Sequence, residues 1–120
     1  MADRVLFITW GAVVRGREER ALEVFTEALG FYGRLQQDGR IEGFDVALLD
    51  PASGVAGYII LHGSAEQIGA LSEDDAFRRL IVDSTLIVDD VRLVPGRTNE
   101  ALAAEIGLFQ EAATKVPQSA

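Results

Sequence analysis

The stretch VAGYIILHG, Val55 to Gly63, is apolar at both odd and even positions from Tyr58 to Leu61. As a strand it must therefore be covered on both faces. Ser-Gly precedes it and Gly-Ser follows it, which sets its limits. Near its end stands His62, the only histidine of the chain, and Ser64 opens a new element. A doubly buried centre and a titratable group thus lie within a few residues of each other.

Upstream, Ile41 to Leu49 (IEGFDVALL) sets Phe44, Val46 and Leu48 against Asp45, Ala47 and Leu49, the alternation of a strand. Asp50-Pro51-Ala52-Ser53-Gly54 supplies turn chemistry between the two, so they are expected to pair antiparallel. A purely parallel sheet is excluded. Arg4 to Gly11 (RVLFITWG) is another strand with two largely apolar faces. Residues 11 to 16 then form a connection with a glycine at each end, with Arg15 where a loop can lie over a pocket.

From Arg17 to about Gln37 the period becomes helical: Ala21, Phe25, Ala28, Leu29, Tyr32 and Leu35 recur at steps of three and four. Gly30 and Gly33 each cost ~1 kcal/mol against alanine in a helix, which predicts a bend there or the close approach of another backbone. Asp38-Gly39 ends the helix. Glu19, Glu23 and Glu27, one turn apart, read as a solvated face rather than a metal site.

Downstream, Ser64 and Gln67 make a capping-box signature for a helix to about Leu71. Ser72 with Asp75 repeats the signal, so this helix is expected in two pieces, the second burying Phe77, Leu80 and Ile81. Ser84 to Val88 fits no single element. Val91 to Pro95 (VRLVP) is a fourth strand, closed by Pro95-Gly96. Asn99 caps a last helix through about Thr114, with Leu102, Ile106, Phe109 and Ala113 as its inward stripe. Lys115 to Ala120 is a frayed tail.

At 120 residues and 13.0 kDa the chain is expected to be one domain, ordered over about 4–114, exposing roughly 6,300 Å² if compact. A net charge of -8 argues against nucleic acid and anionic membranes as partners. No apolar run approaches the ~20 residues that span a bilayer, and Asp3 and Arg4 fall too early for a signal peptide. With no cysteine the chain suits a reducing compartment, and a cytoplasmic location is expected. No Walker loop, G-x-G-x-x-G, H-E-x-x-H or G-x-S-x-G occurs. One histidine makes no multi-histidine metal site within a subunit, so neither metal nor cofactor is expected.

Strand, helix, two antiparallel strands, helix, strand is the split βαβ arrangement of α+β ferredoxin-like domains, here with an extra C-terminal helix. Helices on one side cover only one face of the sheet. About 700 Å² of apolar surface on the other face would contribute on the order of 15 kcal/mol on burial, before association costs. A homodimer closed through the open sheet faces meets that need.

The segment GYIILHGSAEQIGALSEDDAFRRL followed by VDDVRLVP resembles YciI-related proteins, and RVLFITWG followed by REERALEVF is similar to the opening of antibiotic-biosynthesis-monooxygenase-like proteins. Both groups lie in the dimeric α+β barrel superfamily, and the resemblance covers roughly residues 4 to 95. It implies a paired-sheet dimer with small-molecule pockets between sheet and helices, in a superfamily that includes cofactor-free oxygenases and isomerases.

His62 is the candidate catalytic base. Trp10, Arg15, Tyr32, Asp45, Tyr58 and Phe77 are the candidate ligand-binding residues. His62, at the sheet's end near the Ser64 helix, is expected to line a cavity with one or more of Trp10, Tyr32 and Tyr58. Three readings stand: a homodimer binding a small apolar or aromatic molecule with no assigned reaction; a cofactor-independent oxygenase or isomerase acting on an aromatic or polyketide-like substrate with His62 as base; and a dimerisation module without a pocket.

Overall fold

Alternation along the central strands sorts the chain into two faces. The computed structural model describes residues 2–50 and 54–117. Its elements are β1 (Arg4–Trp10), α1 (Glu18–Gln37), β2 (Gly43–Leu48), β3 (Gly57–Gly63), α2 (Ala65–Ser72), α3 (Asp75–Thr85), β4 (Arg92–Arg97) and α4 (Asn99–Ala113). The sheet order is β2-β3-β1-β4, with every neighbouring pair antiparallel. This is the expected ferredoxin-like α+β arrangement. The turn assigned to Asp50–Gly54 lies partly outside the described residues, but the antiparallel pairing it predicted runs from Gly43 opposite His62 to Leu48 opposite Gly57.

On one face Leu6 and Ile8 of β1 and Ile59 and Leu61 of β3 are buried with Val24, Ala28, Tyr32 and Leu35 of α1, Ile68 and Leu71 of α2, and Phe77 and Leu80 of α3. Period-2 strands and period-3.6 helices thus supply one core. The odd-numbered residues of β1 and even-numbered residues of β3 point to the opposite face, where Phe7 meets the edge of Tyr58 at 5.6 Å between ring centroids. The described helices leave that face half-exposed.

Four local expectations are corrected. Helix α1 is uninterrupted through Gly30 and Gly33, and the close approach of another backbone is not found: a Cβ on Gly33 would meet nothing within 4 Å and one on Gly30 only the Arg34 side chain. The cap of α3 is Asp74, not Ser72; its carboxylate accepts from Phe77 N–H at 3.0 Å and also takes Arg40 at 2.6 Å, a second partner that Ser72 lacks. Strand β4 continues through Pro95-Gly96 to Arg97, which an edge strand permits because the missing proline N–H costs no ladder bond on the outer side. Thr98, not Asn99, is the N-cap position of α4; Asn99 begins the helix at a φ of 50° and donates instead to Ala2 O at 2.8 Å.

The largest departure is α4. Leu102, Ile106 and Phe109, expected to face inward, are exposed, Phe109 at 75%, and only Ala101 of this helix is buried. The amphipathic stripe exists, but the rest of the described chain does not cover it. The chain accordingly exposes 8021 Å², well above the roughly 6,300 Å² of a compact chain of this mass. Its radius of gyration is 17.2 Å, against about 14 Å for compact packing. The expected tail at Lys115–Ala120 lies in part beyond the described residues.

Candidate functional site

Between the sheet and helices α1 and α3 lies a cavity of about 280 Å³, near the lower end of the ~300–1,000 Å³ usual for small-ligand sites. The strands contribute Ile8, Trp10, Leu48 and Ile59 to its wall, and the helices Ala21, Phe25, Ala28, Tyr32 and Leu80. Its far side is built from the connection after β1. Val13 bridges Val88, Gly11 N–H donates to Asp89 O at 2.7 Å, and Val14 N–H donates to Ile87 O at 2.8 Å. Residues 86–88, which sequence periodicity could not assign, thus close one end of the chamber. The lining residues Leu22 and Leu48 are exposed and form its mouth.

The site exists because large and small residues alternate around it. Trp10 packs edge-on to Phe25 at 6.1 Å between centroids, and β3 offers it Gly57, whose missing side chain leaves room for the indole. Ala21 and Ala28, on the buried stripe of α1, keep the helix side of the chamber open. Tyr32 is held among Phe31, Phe44 and Phe77. Burial pushes its phenol pKa well above the ordinary value, so it stays protonated. The lining is almost wholly apolar; Glu18 at the rim accepts from Gly16 N–H, and Ser84 Oγ donates to Leu80 O at 2.8 Å.

The sequence-derived candidates fall on both sides of the sheet. Trp10 and Tyr32 line the cavity. Phe77 is buried and packs on Tyr32, with ring centroids 6.5 Å apart, but stands behind the wall. Arg15 is exposed in the loop and outside the lining. Asp45, Tyr58 and His62 are on the opposite face, where His62 Nε2 lies 2.7 Å from Asp45 Oδ2. His62 therefore shares a face with Tyr58 but not a cavity with Trp10 and Tyr32. The reason is parity: His62 alternates with Leu61, the wholly buried residue that points to the helices. Among the described residues, no group of three or more His, Cys, Asp or Glu is placed to hold a metal ion.

Phe25, Ile81, Val88 and Val91 also belong to the cavity wall. Phe25 and Ile81 were visible as parts of the helical stripes of α1 and α3; Val88 joins the wall through the pairing of the 11–14 segment with residues 87–89.

No protein-family model matches the chain, and no curated protein sequence matches it. Solved structures do. A dimeric protein of unknown function and ferredoxin-like fold from Bacteroides fragilis aligns over 78% of this chain and 95% of its own, with TM-score 0.58 and 11% identity. The chain shares the fold of dimeric ferredoxin-like proteins. SnoaB, a cofactor-independent oxygenase from Streptomyces nogalater, aligns over 84% of this chain and 98% of its own, with TM-score 0.53 and 16% identity. A protein from Chloroflexus aurantiacus assigned to the antibiotic biosynthesis monooxygenases covers 80% of this chain and 93% of its own, with TM-score 0.52 and 13% identity. The ferredoxin-like fold expected from the order of strands and helices is therefore the one observed. No described helix is long and apolar enough to cross a membrane.

Proposed function

We propose that this chain is a single folding unit that pairs through its open sheet face into a homodimer and binds a small apolar or aromatic molecule in the cavity of each subunit. The observation that carries this reading is the chamber itself: an aromatic-walled, nearly uncharged space with an exposed apolar mouth, the form small-molecule sites commonly take. Pairing is supported by the half-exposed apolar residues Val5, Phe7, Tyr58 and Ile60 on the opposite face, and by the dimeric Bacteroides relative in fold. The absence of cysteine suits a reducing compartment such as the cytoplasm.

Trp10 is the only tryptophan and lies in the cavity wall, so its fluorescence reports occupancy directly. Titration with tetralin should give a saturable change in Trp10 emission, and calorimetry should show one site per subunit. No saturable change and no heat would contradict the reading.

A second reading, a cofactor-independent oxygenase or isomerase acting on an aromatic or polyketide-like substrate, draws on the likeness in fold to SnoaB. In that case the sheet stands between His62 and a ligand in this cavity, so any base acting there is another group. A His62→Ala variant that retains both ligand binding and any turnover would separate the cavity from the histidine.

A further inference from the structure

The cavity wall contains one uncommitted polar atom on an otherwise sealed side chain. Tyr32 is 1% exposed, and its ring is fixed by Phe31, Phe44 and Phe77 at centroid distances of 5.6, 6.0 and 6.5 Å. A phenol hydroxyl donates one hydrogen bond and accepts others, yet the Tyr32 hydroxyl has no partner among the described residues. No described side-chain polar atom is both sealed from solvent and unpartnered, so this oxygen is not wholly sealed, and Tyr32 is one of the residues that line the cavity.

The other polar side chains of the wall differ. Ser84 spends its proton on Leu80 O, and Glu18 is turned to Gly16 at the rim. The Trp10 indole N–H is unpartnered as well, but on a half-buried ring. No cationic side chain lines the chamber, so an anionic ligand would lose its hydration with nothing to replace it.

We propose that the cavity selects a neutral ring compound carrying a hydrogen-bond-accepting oxygen, and that Tyr32 Oη–H donates to that oxygen. The assignment rests on the cavity being a ligand site. Tyr32 acts here as an orienting and selecting residue: its ring is locked by protein contacts, and its proton is left for the ligand. Leaving a buried donor unpaired is unfavourable, and an acceptor on the ligand relieves this.

The test compares three probes of one shape by calorimetry: tetralin, with no oxygen; 1-tetralone, with a carbonyl; and tetralin-1-carboxylate, an anion. The wild type should bind the first two and reject the third. Tyr32→Phe should weaken 1-tetralone about 3- to 10-fold, the range of one net hydrogen bond, and leave tetralin unchanged. Its Tm should not fall, because no protein hydrogen bond is lost. The carbonyl stretch of bound 1-tetralone should lie at lower wavenumber in the wild type than in Tyr32→Phe. Equal 1-tetralone affinity in both proteins, or an equal loss for tetralin and 1-tetralone, would overturn the Tyr32 assignment and leave the cavity reading intact. Failure of both neutral probes to bind the wild type would overturn the cavity reading and this assignment together.

Discussion

A Cβ placed on Gly57 would lie 2.6 Å from Cζ2 of Trp10 and 2.8 Å from the carbonyl oxygen of Ala47. The two residues are register partners on β3 and β1, so the indole lies against bare backbone, and that contact sets one end of the cavity. Gly57→Ala forces the ring or the strand to move. Overpacking of this kind costs about 1–3 kcal/mol. A lowered Tm, altered Trp10 emission and weaker tetralin binding should appear together.

Gly33 offers the opposite case. It lies inside α1, and a Cβ there would meet nothing within 4 Å. Gly33→Ala should stabilise the fold by up to ~1 kcal/mol through helix propensity and reduced unfolded-state freedom. Chemical denaturation should show a higher midpoint with an unchanged slope.

The Arg40 guanidinium, and then the Phe77 N–H, hold the Asp74 carboxyl below its ordinary value of 3.8. A carboxylate whose folded pKa is depressed contributes stability that is complete above its unfolded pKa and is lost as pH falls through the folded pKa. Below about pH 4 the wild type should therefore lose more stability than Asp74→Asn, which keeps a capping oxygen but does not titrate. Thermal melts between pH 2 and 7 measure the difference.

Phe7 and Ile8 test the two faces separately. Ile8 is 5% exposed among the helices, so Ile8→Glu buries a charge in the core and should prevent folding. Phe7 lies on the open face beside Tyr58. In solution the wild type should have a mass of about 26 kDa, twice the 13.0 kDa chain. Phe7→Glu should shift it toward the monomer. A wild-type mass of 13.0 kDa, or a Phe7→Glu variant that remains dimeric, would contradict pairing through this face.

The two-sided apolar strands, the hairpin and the helical period of α1 were legible because each depends on local alternation. Which face met the helices was not legible, since Tyr58 and Ile60 are as apolar as Ile59 and Leu61; that ambiguity made His62 look like a cavity residue. The α4 stripe shows the same limit. Leu102, Ile106 and Phe109 recur at helical spacing whether the core they seek is their own or a partner's. The cavity end formed by residues 11–14 and 87–89 depends on pairing across most of the chain, and no local pattern announces it.

If the space between the sheet and helices α1 and α3 is a ligand site, an apolar aromatic probe should be found there. A crystal structure of the protein with 1-bromonaphthalene would locate that probe by the anomalous scattering of bromine. The bromine peak should lie within contact of Trp10, Phe25 or Tyr32. Bromine found only on the open sheet face around Tyr58 and His62, or bound nowhere, would rule out a ligand site between the sheet and these helices.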